Sequence, residues 1–316
     1  MLVSAVATFA VLSFLFPSGG GQEKAWKWAP YGWPIKPFDQ PHPIRGDFAD
    51  PRMPNHHING PGPFSFHAGV DISAPGGTAV YAVAPGTAFF PGVKEAYLHG
   101  RPVAVVVREE GVRFEYWHIR PVVVSGQHVA MRQLLGYVIK KWGHVHLTEM
   151  RGGRPVNPLR VGGLTPYDDR TKPTIVSVML YRDGSFLPLS SIPLSGSVDL
   201  VLGAYDTPAL TSDWPWARVT PALIRWSLRS EATGKEAISV QTAVDFRLSK
   251  PWVPLTDVFA PGTRQNGLRR AGVYNFWLAR RLDTRKLPNG TYELIVKASD
   301  TRRNTAERTF ALTVAN

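Results

Sequence analysis

What most constrains this chain is the rhythm of its apolar residues. They alternate in short runs, and no extended stretch holds the 3.6-residue period of an amphipathic helix. The segment "TAVYAVAPGTAFF" (78–90) runs into a Pro-Gly turn. "RPVAVVVREEGVRFEYWHI" (101–119) reads as two strands joined at Glu110-Gly111. "HVHLTEMRGGRPVNPL" (144–159) reads as a strand, a Gly152-Gly153 turn and a short return. With 29 glycines and 28 prolines spread through 316 residues, turns are many and long helices few, so the expected class is mainly β.

The length suits two domains better than one. The first sixteen residues, "MLVSAVATFAVLSFLF", are apolar and uncharged, short of the roughly 20 that span a bilayer. Residues 1–21 are therefore expected to be a signal-like segment of an exported protein, or an uncleaved anchor. Residues 22–63 are rich in Pro, Trp and Gly, which favours extended and turning chain. Alternating strands follow to about residue 160, giving a first domain over 22–164. The hydrophilic "TPYDDRTKP" (165–173) is expected to be a linker. Strands resume in "TIVSVMLYRDGSFLPL", "GSVDLVLGAYD" and "LIRWSLRS", and a second domain is expected over 174–316.

Charge and cysteine content narrow the chemistry. The formal charge of +12 divides into +6 for residues 1–165 (16 basic, 10 acidic) and +6 for the remainder (20 basic, 14 acidic). A diffuse excess of this kind argues against a nucleic-acid partner, which calls for clustered Lys and Arg, and suits a polyanionic surface such as a bacterial wall. The absence of cysteine excludes disulfides, thiolate metal sites and a cysteine nucleophile. Any metal must be held by His, Asp or Glu, which favours zinc or another first-row ion.

Three segments carry candidate chemistry. In "WGHVHL" (142–147), His144 and His146 sit one residue apart; on a strand both imidazoles share a face, about 6–7 Å apart at the backbone. In "FHAGVDISAPGG" (66–77), His67 and Asp71 are four apart and can share a face in either regular structure. Two imidazoles and a carboxylate are a three-ligand zinc set with an open fourth position, the mark of a catalytic site. In "EYWHIR" (115–120), His118 ends a strong strand, where an aromatic-packed histidine is equally at home.

Taken together, "FHAGVDISAPGGTAVYAVAPGTA", "YWHI", "SGQHV" and "GHVHL…GGRPVNPL" resemble the LytM/lysostaphin-type zinc metallopeptidases, which cut peptide bonds in bacterial peptidoglycan. The upstream "PIRGDFADPR" resembles the same family, so the likeness runs over roughly residues 35–160. It implies an antiparallel β-sheet peptidase domain with an open groove. By position it makes His67, Asp71 and His146 the Zn2+ ligands, and His118 and His144 the catalytic histidines that stay off the metal. The implied substrate is a peptidoglycan peptide, and the implied location is periplasmic, extracellular or wall-associated. Some family members lose catalysis and serve as wall-binding scaffolds or activators of other hydrolases. Three departures stand out. Thr148 occupies a position usually held by Glu, with Glu149 one further on; "IKKW" replaces a small, Gly-rich lead-in; and residues 58–66 lack a tyrosine before the first ligand.

The remaining histidines, His42, His56, His57, His99 and His128, read as surface or loop residues, and Trp117 and Trp142 as cleft-lining or packed aromatics. In the second half the aspartates, Asp206 and Asp300 among them, show no calcium-loop spacing. The ending "LPNGTYELIVKASDTRRNTAERTFALTVAN" places Tyr292 near the start of the penultimate strand, as an immunoglobulin-like sandwich does. About 145 residues exceed a simple sandwich, so insertions are expected at 211–222 and 251–267. A spacer, a wall-binding module and a partner-docking face all fit that half.

Overall fold

The computed structural model describes residues 31–53, 58, 64–90, 103–107, 111–210, 212, 217–267 and 270–316. The apolar segment 1–21, the pair His56-His57 and His99 lie outside the described residues. Regular structure among the described residues is almost entirely β, as the alternation predicts, with two short 3-10 turns at Leu255–Asp257 and Thr284–Lys286. No helix among them is long and apolar enough to cross a membrane.

The first half contributes β1 (Ile44–Gly46), β2 (Pro51–Arg52), β3 (Ser65–Phe66), β4 (Val70–Ser73), β5 (Ala79–Tyr81), β6 (Gly86–Phe89), β7 (Val103–Val107), β8 (Val112–Trp117), β9 (Ile119–Pro121), β10 (His128–Val129), β11 (Leu134–Val138), β12 (His144–Arg151) and β13 (Arg154–Val156). An antiparallel sheet runs in the order β1-β4-β12-β8-β7-β6-β10, with β13 off β12; a smaller sheet, β5-β11-β9, contributes to the same core, and β2 pairs with β3. Alternation decides which side chains fill that core. Val70 and Ile72 of β4 and Val145 and Leu147 of β12 have no exposed surface. Each contributes about 1.5–3 kcal/mol by burial. A one-residue slip between β4 and β12 would turn them all outward, so the hydrophobic pattern holds the register.

The second half contributes β14 (Thr174–Arg182), β15 (Ser185–Pro188), β16 (Ser197–Tyr205), β17 (Leu223–Ser230), β18 (Glu236–Asp245), β19 (Asn275–Asp283), β20 (Gly290–Ser299) and β21 (Thr305–Val314). Two four-stranded antiparallel sheets, β15-β14-β16-β19 and β18-β17-β20-β21, enclose a core that includes Leu200, Leu202, Ile224, Leu294 and Val296. The hydroxyl of Tyr292 donates to the carbonyl of Pro288, 2.7 Å away and four residues upstream, and so pins the turn into β20.

The two halves are not beads on a string. Phe48, Ala49, Met53, Ile58 and Phe66 of the first half belong to the core of the sandwich. The ring of Phe66 packs against Phe246 at 5.9 Å and Phe259 at 6.1 Å. Asn157 donates from its backbone to Leu248 O (2.8 Å) and from its side chain to Phe246 O (3.1 Å). The stretch 165–173 is fastened too: Arg302 donates to Tyr167 O (3.0 Å) and Asn304 to Asp169 O (2.7 Å).

Beside that stretch the buried carboxylates of Asp169, Asp206 and Asp300 gather, their oxygens within 4.8 Å of one another. Sequence spacing gave no hint of the grouping, because it comes from the linker stretch, the end of β16 and the turn after β20. Burial raises the Asp206 carboxyl to about 8, with Asp169 and Asp300 adding to the effect and the Thr207 N–H, 2.8 Å away, opposing it. A carboxyl whose folded pKa exceeds its unfolded value of about 4 binds more protons in the native state. Stability therefore falls as pH rises from about 4 to about 8. Asp206→Asn keeps the acceptor for Thr207 and removes the charge. Thermal melts in chelator are expected to show the variant gaining on wild type steadily across that range, with little difference at pH 4. A difference independent of pH would refute this account.

Candidate functional site

The register of β12 against β4 sets His146 opposite Asp71 and His144 opposite Ser73. His144 and His146 share a face by period 2, and Asp71 joins them from the neighbouring strand. His67 precedes β4 and reaches the same point. Its Nε2 lies 3.1 Å from Asp71 Oδ1 and 2.7 Å from His146 Nδ1, and the last two atoms are 2.9 Å apart. Gly69 makes the approach possible: a Cβ there would sit 2.1 Å from the Leu147 carbonyl oxygen and 3.0 Å from His146 Nε2.

The partners on the outside of this cluster fix what points inward. His67 Nδ1 donates to Asp47 O at 2.6 Å, so Nε2 keeps its lone pair for the centre. His146 Nε2 lies 2.7 Å from Thr148 Oγ1; in the tautomer that donates to this hydroxyl, Nδ1 keeps its lone pair for the centre. Arg52 donates to Asp71 Oδ2 at 2.7 Å and leaves Oδ1 for the centre. Burial first, then Arg52, lowers the His67 imidazole to about 3, so the ring is neutral at ordinary pH. Burial alone would raise the Asp71 carboxyl, but His67 and Arg52 outweigh it and hold it well below the usual carboxylate range. The three atoms converge as a donor set that fits a cation and suits His and Asp ligation of a first-row metal.

His118 and His144 stand beside the cluster. His118 has a positive φ of 68° and its ring stacks on Trp142, centroids 4.1 Å apart and 24° between planes. The His118 and His144 rings are 4.6 Å apart. Burial, then the neighbouring His144, lowers His118 to about 3, and its Nδ1 is buried without a partner among the described residues. Arg45 donates to His144 Nδ1 and to the Trp142 carbonyl, while His144 Nε2 faces Asp71 Oδ1 at 3.4 Å. The five histidine and aspartate positions named from the sequence all line one groove of about 1130 Å³, together with Trp117 and Trp142. Among the other histidines, His42 donates to Pro37 O at 2.8 Å and His128 pairs with Thr87 at 3.1 Å; neither lines the groove.

The structure answers the departures read from the sequence. Thr148 supplies the hydrogen bond that orients His146. Glu149 cannot take that part, because alternation turns it to the other face. There it is fully buried, accepting from Tyr31 at 2.6 Å, Arg151 at 2.5 Å and Arg160 at 2.6 and 2.8 Å. Lys140 and Lys141 of the "IKKW" stretch line the groove. A tyrosine does reach the groove, but it is Tyr274 of the second half, whose hydroxyl is committed to Arg218 O at 2.8 Å. Sequence reading missed Arg45, Arg52 and the groove-lining residues of the second half. The first two lie in "PIRGDFADPR", whose quoted likeness was the available signal.

Comparison with known proteins gives the following. Residues 65–158 match the family described as Peptidase family M23. The chain is 33% identical over 105 residues to the DD-carboxypeptidase/endopeptidase Mpg of Neisseria meningitidis and of Neisseria gonorrhoeae, a match covering 32% of this chain and 24% of theirs. It therefore spans about a quarter of the length of the curated relatives it matches. Similar solved structures include the catalytic domain, as a point mutant, of the prophage-encoded M23 protein EnpA from Enterococcus faecalis (27% identity, TM-score 0.31, covering 43% of this chain and 98% of that one). Helicobacter pylori Csd3 is 25% identical at a TM-score of 0.32, covering 42% of this chain and 34% of that one. The catalytic domain of lysostaphin from Staphylococcus simulans is 20% identical at a TM-score of 0.30, covering 37% and 90%.

The Thr148 contact is open to a direct test. Thr148→Val removes the acceptor at constant volume and is expected to weaken divalent-metal binding by about 10–100-fold. Thr148→Ser should restore most of it. Competition with a chromogenic chelator measures both, and equal affinity in wild type and Thr148→Val would overturn the assignment.

Proposed function

Because residues 65–158 carry a LytM-type peptidase domain of family M23, we propose that this chain is an exported zinc-dependent endopeptidase that hydrolyses peptide bonds in bacterial peptidoglycan crosslinks. The peptidase unit is taken as 22–164, followed by the linker 165–173 and an immunoglobulin-like unit over 174–316. The observation that carries the reading is the convergence of His67 Nε2, Asp71 Oδ1 and His146 Nδ1 in an open groove, with two further imidazoles beside them that take no part in the cluster. The description of the Neisseria relatives as DD-carboxypeptidase/endopeptidase supports peptide-bond cleavage.

His67, Asp71 and His146 would hold Zn2+, whose Lewis acidity activates water and polarises the scissile carbonyl. The chain's own residues do the rest. Arg52 and Thr148 keep the ligand atoms aimed. His118 and His144, both in the wall of the groove, take a proton from the attacking water and donate to the developing oxyanion. Trp142 holds the His118 ring in place by stacking, and Arg45, itself bound to the Trp142 carbonyl, holds that of His144.

The test is metal content alongside peptide release from purified peptidoglycan. His146→Ala is expected to lose stoichiometric zinc and activity together. His144→Ala should keep zinc and lose at least about 100-fold in rate, the usual scale for a general acid or base. Cleavage indifferent to chelation would defeat the proposal. Bound zinc with no cleavage of any wall substrate would support the alternative, a catalytically silent scaffold or activator of other hydrolases.

A further inference from the structure

The groove is not built by the peptidase unit alone. Between β18 and β19 the chain makes a long excursion, and its hairpin Arg264–Val273 places Gln265, Asn266, Gly267 and Arg270 on the groove lining. The hairpin is closed by backbone hydrogen bonds between Arg264 and Val273 (2.8 Å each way) and between Gly267 and Arg270. Asn266, buried, ties its base: Oδ1 accepts from Gly272 N at 2.7 Å and Arg218 N at 3.1 Å, and Nδ2 donates to Arg218 O at 2.5 Å. Two contacts then lock the hairpin to the peptidase side. Met53 N donates to Gln265 Oε1 at 2.9 Å, and Ile58 N to Thr263 O at 3.2 Å. Tyr274, the residue after the hairpin, belongs to the same hydrophobic core as Phe66, the residue next to His67.

The charge of the lining is one-sided. Arg45, Arg52, Lys140, Lys141 and Arg270 are its cationic residues, and among the described residues Asp71 is its only carboxylate. Arg52 is engaged by Asp71. Arg270 is exposed and makes no ion pair among the described residues. A guanidinium on a rigid mount beside a groove is suited to bidentate recognition of a carboxylate, and a cleft lined by one sign of charge concentrates the opposite sign.

Resting on the endopeptidase reading, we propose that the hairpin Arg264–Val273 of the second half is a wall of the substrate groove and that Arg270 on it, with Lys140 and Lys141, binds a carboxylate of an acidic peptide substrate. The second half is then a specificity element of the active groove. The proposal also gives the excursion after β18 a function, where the sequence showed only an insertion.

The experiment uses the full chain and peptide stems released from purified peptidoglycan, in native form and with their carboxylates converted to amides. Wild type is expected to cleave the native peptide with kcat/KM at least tenfold above the amidated one. Arg270→Ala should raise KM for the native peptide about tenfold, change kcat less, and narrow the native-to-amide ratio. Arg285→Ala removes an equal charge outside the groove and should leave both peptides as in wild type. Zinc content and melting temperature confirm that each variant is folded and loaded. If Arg270→Ala is loaded and leaves both KM and the ratio unchanged, the inference is wrong. Titration of the inactive His144→Ala protein with both peptides, followed by calorimetry, separates this inference from the catalytic reading. Preferential binding of the native peptide that weakens on adding Arg270→Ala supports the wall even if wild type cleaves neither peptide. Equal binding of both forms overturns it.

Discussion

The site depends on one register, that of β12 against β4. It sets His146 across from Asp71 and leaves His144 one step along the same face. The opposite faces of the two strands, Val70, Ile72, Val145 and Leu147, go into the core without residual exposure, and a shift by one residue would forfeit all of that burial. The hydrophobic pattern therefore aims the chemistry, and it must offset a real electrostatic cost. Two imidazole lone pairs and a carboxylate oxygen within about 3 Å of one another repel unless a cation sits among them. The outer hydrogen bond of His67 to the Asp47 carbonyl removes its option of relaxing by a change of tautomer, while those of Thr148 and Arg52 hold His146 and Asp71 in place.

The same alternation joins the two halves. Phe66 and His67 are adjacent, so their side chains diverge. Phe66 enters the sandwich core against Phe246 and Phe259, while His67 enters the groove. A rotation of one half against the other would pull on the backbone of the first candidate ligand. The chain that flanks the hairpin Arg264–Val273 is held by the same core, through Phe259 and Tyr274.

Much of this could be read from the chain itself, and the limit was sequence distance. The β class and the second sheet system follow from period-2 alternation, and the candidate residues His67, Asp71, His118, His144 and His146 from short motifs that resemble those of the LytM/lysostaphin-type family. Alternation also foretells the fate of Glu149, which sits one residue off the catalytic face and ends in a buried pair with Arg160. What could not be read are contacts between segments far apart in the chain. Arg45 with His144, Met53 with Gln265, and the gathering of Asp169, Asp206 and Asp300 leave no local trace. The prolines and tryptophans of 251–267 marked an insertion but not its destination, since a turn-rich segment docks wherever the core leaves room.

Charge balance links the site to its surroundings. A dication held by one carboxylate and two neutral imidazoles keeps a net positive charge, and Arg52 and Arg45 add to it at close range. Arg52 does not simply compete with such an ion, because it takes the Asp71 oxygen that the cluster leaves unused. In the proposed reaction the excess would fall where an attacked peptide bond develops negative charge, and in a partly desolvated groove such a field is far stronger than in water. Arg270, Lys140 and Lys141 extend the same sign along the lining. On the proposed reading, the local excess that would favour an oxyanion and the wider excess that would gather an acidic peptide are parts of one field, supplied partly by each half of the chain.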